Sequence, residues 1–154
     1  MCRVCQSGNE FEGLIDDEEL WRMLPDLEGR ERAHALSQLS IGTCKDFAGK
    51  VSILLAEGAN KIYEELGTPE DSIDYLYTYE EIASNKAYLE DYVGAVEAGL
   101  KALPLVHKHK MSDTYGQLQW ELLQWMVKAG QFEKAREFLE QQIAEEHEMA
   151  LWQS

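Results

Sequence analysis

Three times along this chain a rung of residues recurs at a spacing of four and then three: Ser52, Ala56 and Ala59; Ala95, Gly99 and Ala102; Ala135, Leu139 and Gln142. On an α-helix this spacing places all three members on one face. Small side chains on that face let a second helix approach closely, so each rung reads as the contact stripe of a repeated helical hairpin. The third copy keeps the spacing with larger residues. Such a pattern predicts a stack of hairpins, and stacks of hairpins present surfaces for binding more readily than they assemble reactive groups.

The 154 residues are enough for one domain, which at this length buries roughly two-thirds of the surface its unfolded chain exposes. Twenty-nine acidic residues against 14 basic ones give a formal net charge of −15. That field repels phosphate backbones and anionic lipid, so neither nucleic acid nor a membrane is expected as a partner. The acidity is expected to be a solvated surface rather than a dedicated docking face. No apolar run reaches the roughly 20 residues needed to span a bilayer, and Met1-Cys2-Arg3-Val4-Cys5 leads into polar sequence rather than an apolar signal core. Three cysteines, Cys2, Cys5 and Cys44, cannot pair completely, which fits a reducing compartment and a cytoplasmic location.

Only three prolines are present, with no Asn-Gly or Asp-Gly turn and no sustained alternation, so strands are not expected. Residues 1–13 read as a flexible lead-in and 14–154 as one helical domain. A short first helix is expected from Asp16 to Leu24, burying Leu20, Trp21 and Leu24, with Pro25 just past its end. Two helices then follow, from Arg30 to Lys45 and from Gly49 to Leu66, separated by a break at Asp46-Phe47 and closed by Gly67. Thr68-Pro69-Glu70-Asp71 predicts the start of the next helix, with Thr68 as its cap and Pro69 in its first turn. That hairpin turns at Glu90-Asp91 and returns through Ala95, Leu100 and Leu103, where Pro104 is expected to bend or shorten it. Ser112 is expected to cap a helix through Leu118, Leu122 and Met126, which breaks at Gly130 and returns from Phe132 to about Met149.

The stretch from Glu90-Asp91-Tyr92 through Gly94-Ala95 to Leu103, and its echo from Gly130-Gln131-Phe132 through Ala135 to Leu139 at a shift of 40 residues, resembles the tetratricopeptide repeat family. The resemblance covers roughly residues 31–146. It implies an all-α, right-handed superhelical stack of about three antiparallel hairpins behind a short leading helix. The family's basic unit is about 34 residues, so a shift of 40 implies longer helices or a longer connection around His107 to Met111. The first hairpin, ending in Ile62-Tyr63-Glu64-Glu65-Leu66-Gly67, is similar to the long-helix variety found among bacterial regulatory repeat proteins.

The resemblance further implies a groove lined by the first helix of each hairpin and occupied by a protein or peptide. Mapped onto this chain, its candidates are His34, Ser37, Ile41 and Lys45, then Tyr77, Glu80, Ser84 and Tyr88, then Gln117, Trp120, Gln124 and Lys128. Members that grip a C-terminal carboxylate use Lys, Asn and Arg there. The middle hairpin instead offers Glu80, Glu81 and Ser84, which argues against such a clamp. Self-association is the alternative, because a short array leaves two apolar ends to cover. A metal-dependent regulator using Cys2 and Cys5 is a second alternative, and a peptide-sensing regulatory module a third.

Individual residues carry two readings each. Trp120 and Trp125 lie five apart and point to different sides of one helix; each is either a binding anchor or core filler. Tyr75, Tyr77, Tyr79 and Tyr88 divide in the same way. Cys2-x-x-Cys5 has the spacing of half a zinc knuckle, but only Cys44 or the His107-x-His109 pair could complete it, so metal is not expected. His147-Glu148 opens like a zinc-protease helix, yet Leu151 stands where the second histidine belongs. The adjacent pairs Glu80-Glu81 and Glu145-Glu146 project about 100° apart on a helix and read as solvated surface. No enzyme activity and no cofactor are expected.

Overall fold

A computed structural model of the chain describes residues 16–43 and 49–153, the last five of these by backbone alone. Among the described residues seven α-helices follow one another without a strand: α1 (Asp17–Met23), α2 (Gly29–Gly42), α3 (Gly49–Glu65), α4 (Ile73–Tyr88), α5 (Tyr92–Lys108), α6 (Ser112–Lys128) and α7 (Phe132–Gln153), with a 3-10 turn (Leu24–Asp26) after α1. Each helix from α1 onward packs on the next, and α2 also touches α4. The expected all-α architecture of packed helical hairpins is therefore present.

One turn design joins the helices from α3 to α7. After α3, α4, α5 and α6 a residue with positive φ, respectively Gly67, Glu90, Lys110 and Gly130, reverses the chain. In each case two crossed bonds close the helix end. Gly67 N–H donates to the Glu64 carbonyl and Thr68 N–H to that of Tyr63, both at 3.0 Å, and the same pair recurs around Glu90, Lys110 and Gly130. These bonds satisfy carbonyls that the last helical turn leaves open. Helices α5 and α6 have 17 residues each, and each is followed by a turn of three. That regularity accounts for the 40-residue shift: the helices are long, about 25 Å, and the connection at His109–Met111 is short.

Several local expectations are corrected. Ser72, not Thr68, caps α4, its hydroxyl accepting from Asp74 N–H at 3.3 Å, because Pro69 falls in a turn ahead of the helix. Ser112 is the first residue of α6 rather than its cap. Pro104 lies inside α5 without shortening it, on an exposed face. The expected break at Asp46-Phe47, Lys45 and Cys44 lie outside the described residues, as does the lead-in with Cys2 and Cys5.

The first two rungs explain the packing. Ser52, Ala56, Ala59, Ala95 and Ala102 are fully buried. At Gly99 a Cβ would come within 2.7 Å of Leu122 Cδ2 and 3.2 Å of the Trp125 ring, so α5 and α6 meet at a distance that only glycine permits without displacement. The core runs from Ala33 and Leu36 on α2 to Ala135 and Phe138 on α7, with Leu76, Val96, Val106, Leu122 and Met126 sealed from solvent. Leu20 on α1 joins Ala35 and Leu39 in a smaller cluster at the other end. Trp21, expected to be buried beside Leu20, is 44% exposed. Arg32 reaches back instead to the carbonyl of Leu24 at 2.7 Å, holding the 3-10 turn against α2.

Candidate functional site

Polar residues inside the first two hairpins form a relay. Ser52 on α3 donates to the Ser40 carbonyl on α2 at 2.7 Å and accepts from Asn85 on α4 at 3.1 Å, while Asn85 also donates to the Glu81 carbonyl at 2.8 Å. Nearer the start of α4, Thr78 donates to Asn60 on α3 at 2.5 Å. Ser52 is thus small for close approach and hydroxylated for registry, since a displaced α4 leaves buried polar groups unpaired. Glu81 is only 1% exposed and belongs to this layer. It is not the solvated surface expected of the Glu80-Glu81 pair, because α4 turns it inward beside Asn85; Glu80 is half-buried. Glu145 and Glu146 are exposed, as expected.

Tyrosines of the middle hairpin divide as their helix faces dictate. Tyr75 packs edge-on to Tyr63 and stacks on Tyr79 with ring centres 5.7 Å apart in both pairs, and His34 approaches Tyr63 at the same distance. Burial pushes the Tyr63 phenol far above its ordinary value, and Tyr75 and Tyr79 upward as well, so this ladder is neutral packing. Lys101 sits over Tyr79 at 5.5 Å. Tyr88, by contrast, is 70% exposed.

The groove candidates fall into three groups. On α2, His34 is exposed but its Nε2 lies 3.4 Å from Asp74, which also receives Arg30 at 2.8 Å; His34 helps pin α4 to α2. Ser37 is buried together with its neighbour Leu36 and with Ser40 one turn on, so it is not presented to a ligand. Ile41 is half-buried, and Lys45 lies outside the described residues. On α4, Tyr77, Glu80 and Ser84 are half-buried and form one stripe with exposed Tyr88. On α6, Trp120 and Lys128 are exposed, as is Gln124, and the Lys128 ammonium rests over the Tyr92 ring at 5.2 Å; Gln117 is exposed one turn before Trp120. The two tryptophans of α6 separate as their spacing requires: Trp125 is buried against Gly99 and Trp120 is 62% exposed. The structure therefore brings α4 and α6 candidates to equivalent positions 40 residues apart, half-buried on α4 except at Tyr88 and exposed on α6, and does not bring Ser37 to them.

A cleft of about 510 Å³ opens between the end of α5, the start of α6 and α7, lined by His107, Tyr115, Gln119, Gln142, Glu145 and Glu146 among others. Its buried amide, Gln142, already accepts from the Tyr115 hydroxyl at 3.3 Å and from Gln119. Burial, followed by Glu145, pushes the Tyr115 phenol upward. At the end of α5 Lys108 bonds Asp71, lowering that carboxyl, and ties α5 to the loop ahead of α4. No group of three or more side chains suited to a metal ion occurs among the described residues. None of the described helices is long and apolar enough to cross a membrane.

The sequence pointed to the C-terminal end only as one of two apolar ends that a short array leaves. Here Val127, Phe132, Leu139 and Ile143 are exposed by 52, 65, 45 and 49%. The third rung, expected as a contact stripe, buries Ala135 and Gln142 but leaves its middle member Leu139 exposed, because no described helix lies over it. Comparison with protein families, characterised proteins and solved structures finds no match to this chain.

Proposed function

We propose that the chain is a tetratricopeptide-like array of helical hairpins that binds a protein or peptide along the exposed faces of α4 and α6, without catalysis of its own. The supporting observation is that Tyr88 and Trp120, two widely exposed aromatic side chains, stand on the first helices of successive hairpins at 70 and 62% exposure. Burying such rings against a partner removes a large apolar area from water while their polar edges keep a hydrogen-bonding partner. Around them Gln117, Gln124 and Ser84 supply polar groups suited to a peptide backbone. The neighbouring helices that hold these faces are rigid by packing, which limits the ordering cost of binding.

Affinity capture from an extract of the source cells, comparing the wild-type chain with a Tyr88→Ala/Trp120→Ala variant that keeps its helical circular dichroism, tests this reading. A protein retained by the first and lost by the second is the expected result. Equal capture by both would show that the working surface lies elsewhere.

A further inference from the structure

The outer face of α7 is a stacking face on which none of the described helices packs. Shifted by 40 residues, Phe132, Arg136, Leu139 and Ile143 of α7 correspond to Tyr92, Val96, Gly99 and Leu103 of α5, and Glu146 corresponds to Val106. On α5 these positions are covered: Val96 and Val106 are fully buried, Leu103 is 8% exposed, Gly99 lies against Leu122, and Tyr92 lies under Lys128. On α7 all five positions are exposed. The spacing of 132, 136, 139, 143 and 146 alternates four and three, which is the seam of one helix laid along another.

The charges of this seam say what fits it. Arginine stands toward its beginning and glutamate toward its end, with Leu139 and Ile143 between them. A second copy laid antiparallel, with the two-fold axis level with Gln141, sets Leu139 against the Ile143 of the other copy, and Arg136 against its Glu146, each contact occurring twice. A parallel arrangement would instead oppose arginine to arginine and glutamate to glutamate. Arg136 is free to change partners, because its ion pair with Glu133 at 2.7 Å joins two largely exposed side chains and is worth little. A net charge of −15 opposes association over most of the surface, so self-pairing requires a face whose charges match when rotated onto themselves. We infer that the chain forms a two-fold symmetric dimer through antiparallel pairing of α7, with reciprocal Arg136–Glu146 contacts flanking a Leu139–Ile143 centre.

Light scattering and sedimentation of the full chain test this, with circular dichroism confirming that each variant is folded. The wild type is expected at twice 17.6 kDa. Leu139→Glu, at an exposed position, is expected to give a folded monomer. Arg136→Glu and Glu146→Arg are each expected to weaken the dimer at least tenfold, and the Arg136→Glu/Glu146→Arg double variant to restore it, since the reversed charges again match across the axis. A wild type that stays monomeric at about 100 μM, a concentration that detects even modest affinity, would overturn the inference. So would a dimer indifferent to Leu139→Glu, or folded single variants that the double variant fails to rescue. Mass is read without any partner and at residues apart from Tyr88 and Trp120, so this result and that of the capture experiment stand independently.

Discussion

Glu90 and Lys110 occupy turn positions whose backbone favours glycine, with φ of 64° and 57°. Gly67 and Gly130 meet the same demand with no Cβ to crowd the following carbonyl. Glu90→Gly and Lys110→Gly should therefore each stabilise the fold by about 0.5–1 kcal/mol, the relief of strain exceeding the entropy a glycine adds to the unfolded chain. Denaturant midpoints check this, with Gly130→Ala expected to move the midpoint the other way by a similar amount. Single residues also show where reading along the chain stops. Gly67 and Gly130 announce turns through their own chemistry, whereas the turns at Glu90 and Lys110 are imposed by helices already committed on both sides. Glu81 looks like half of a solvated acidic pair until α3 brings Ser52 and Asn60 against α4, and Ser37 looks available until its neighbours on α2 turn inward.

Among the helices, α5 and α6 give the sharpest contrast between propensity and packing. Gly116 on α6 has open space where a side-chain methyl would sit, with no neighbouring atom within 4 Å, whereas a methyl on Gly99 of α5 would meet Leu122 at 2.7 Å. Alanine gains about 0.5–1 kcal/mol over glycine in a helix interior. Gly116→Ala should collect that gain, while Gly99→Ala should be destabilised by about 1–2 kcal/mol because Leu122 is fully buried and cannot yield. Thermal melting of the two variants decides it; equal shifts would mean that α5 and α6 are not held at the distance the rung requires. Helix positions were largely legible from periodicity and small-residue spacing, with ends wrong by a few residues. The start of α4 was misplaced because Thr68-Pro69 carries all the signals of a helix start but serves the closing turn of α3.

Across the whole molecule, the tyrosine ladder through Tyr63, Tyr75 and Tyr79 couples the first two hairpins to alkaline pH. Burial raises each phenol above its ordinary 10.0, so the unfolded chain releases these protons first. Their contribution is intact below pH 10 and is lost as pH rises beyond it. The melting temperature is expected to fall above pH 10 for the wild type, and less steeply for Tyr63→Phe, in a series of melts across that range. Local chemistry alone was enough to specify an all-helical chain, its hairpin period and the faces on which helices meet, because a 3.6-residue repeat and the demand for small contact residues act within a few turns of backbone. Coverage was settled by assembly. Gly99 and Leu139, and Leu20 and Trp21, are alike in expectation and opposite in fate, and of Trp120 and Trp125 only the second is covered, since a side chain is buried only where a helix from elsewhere in the chain arrives to exclude water.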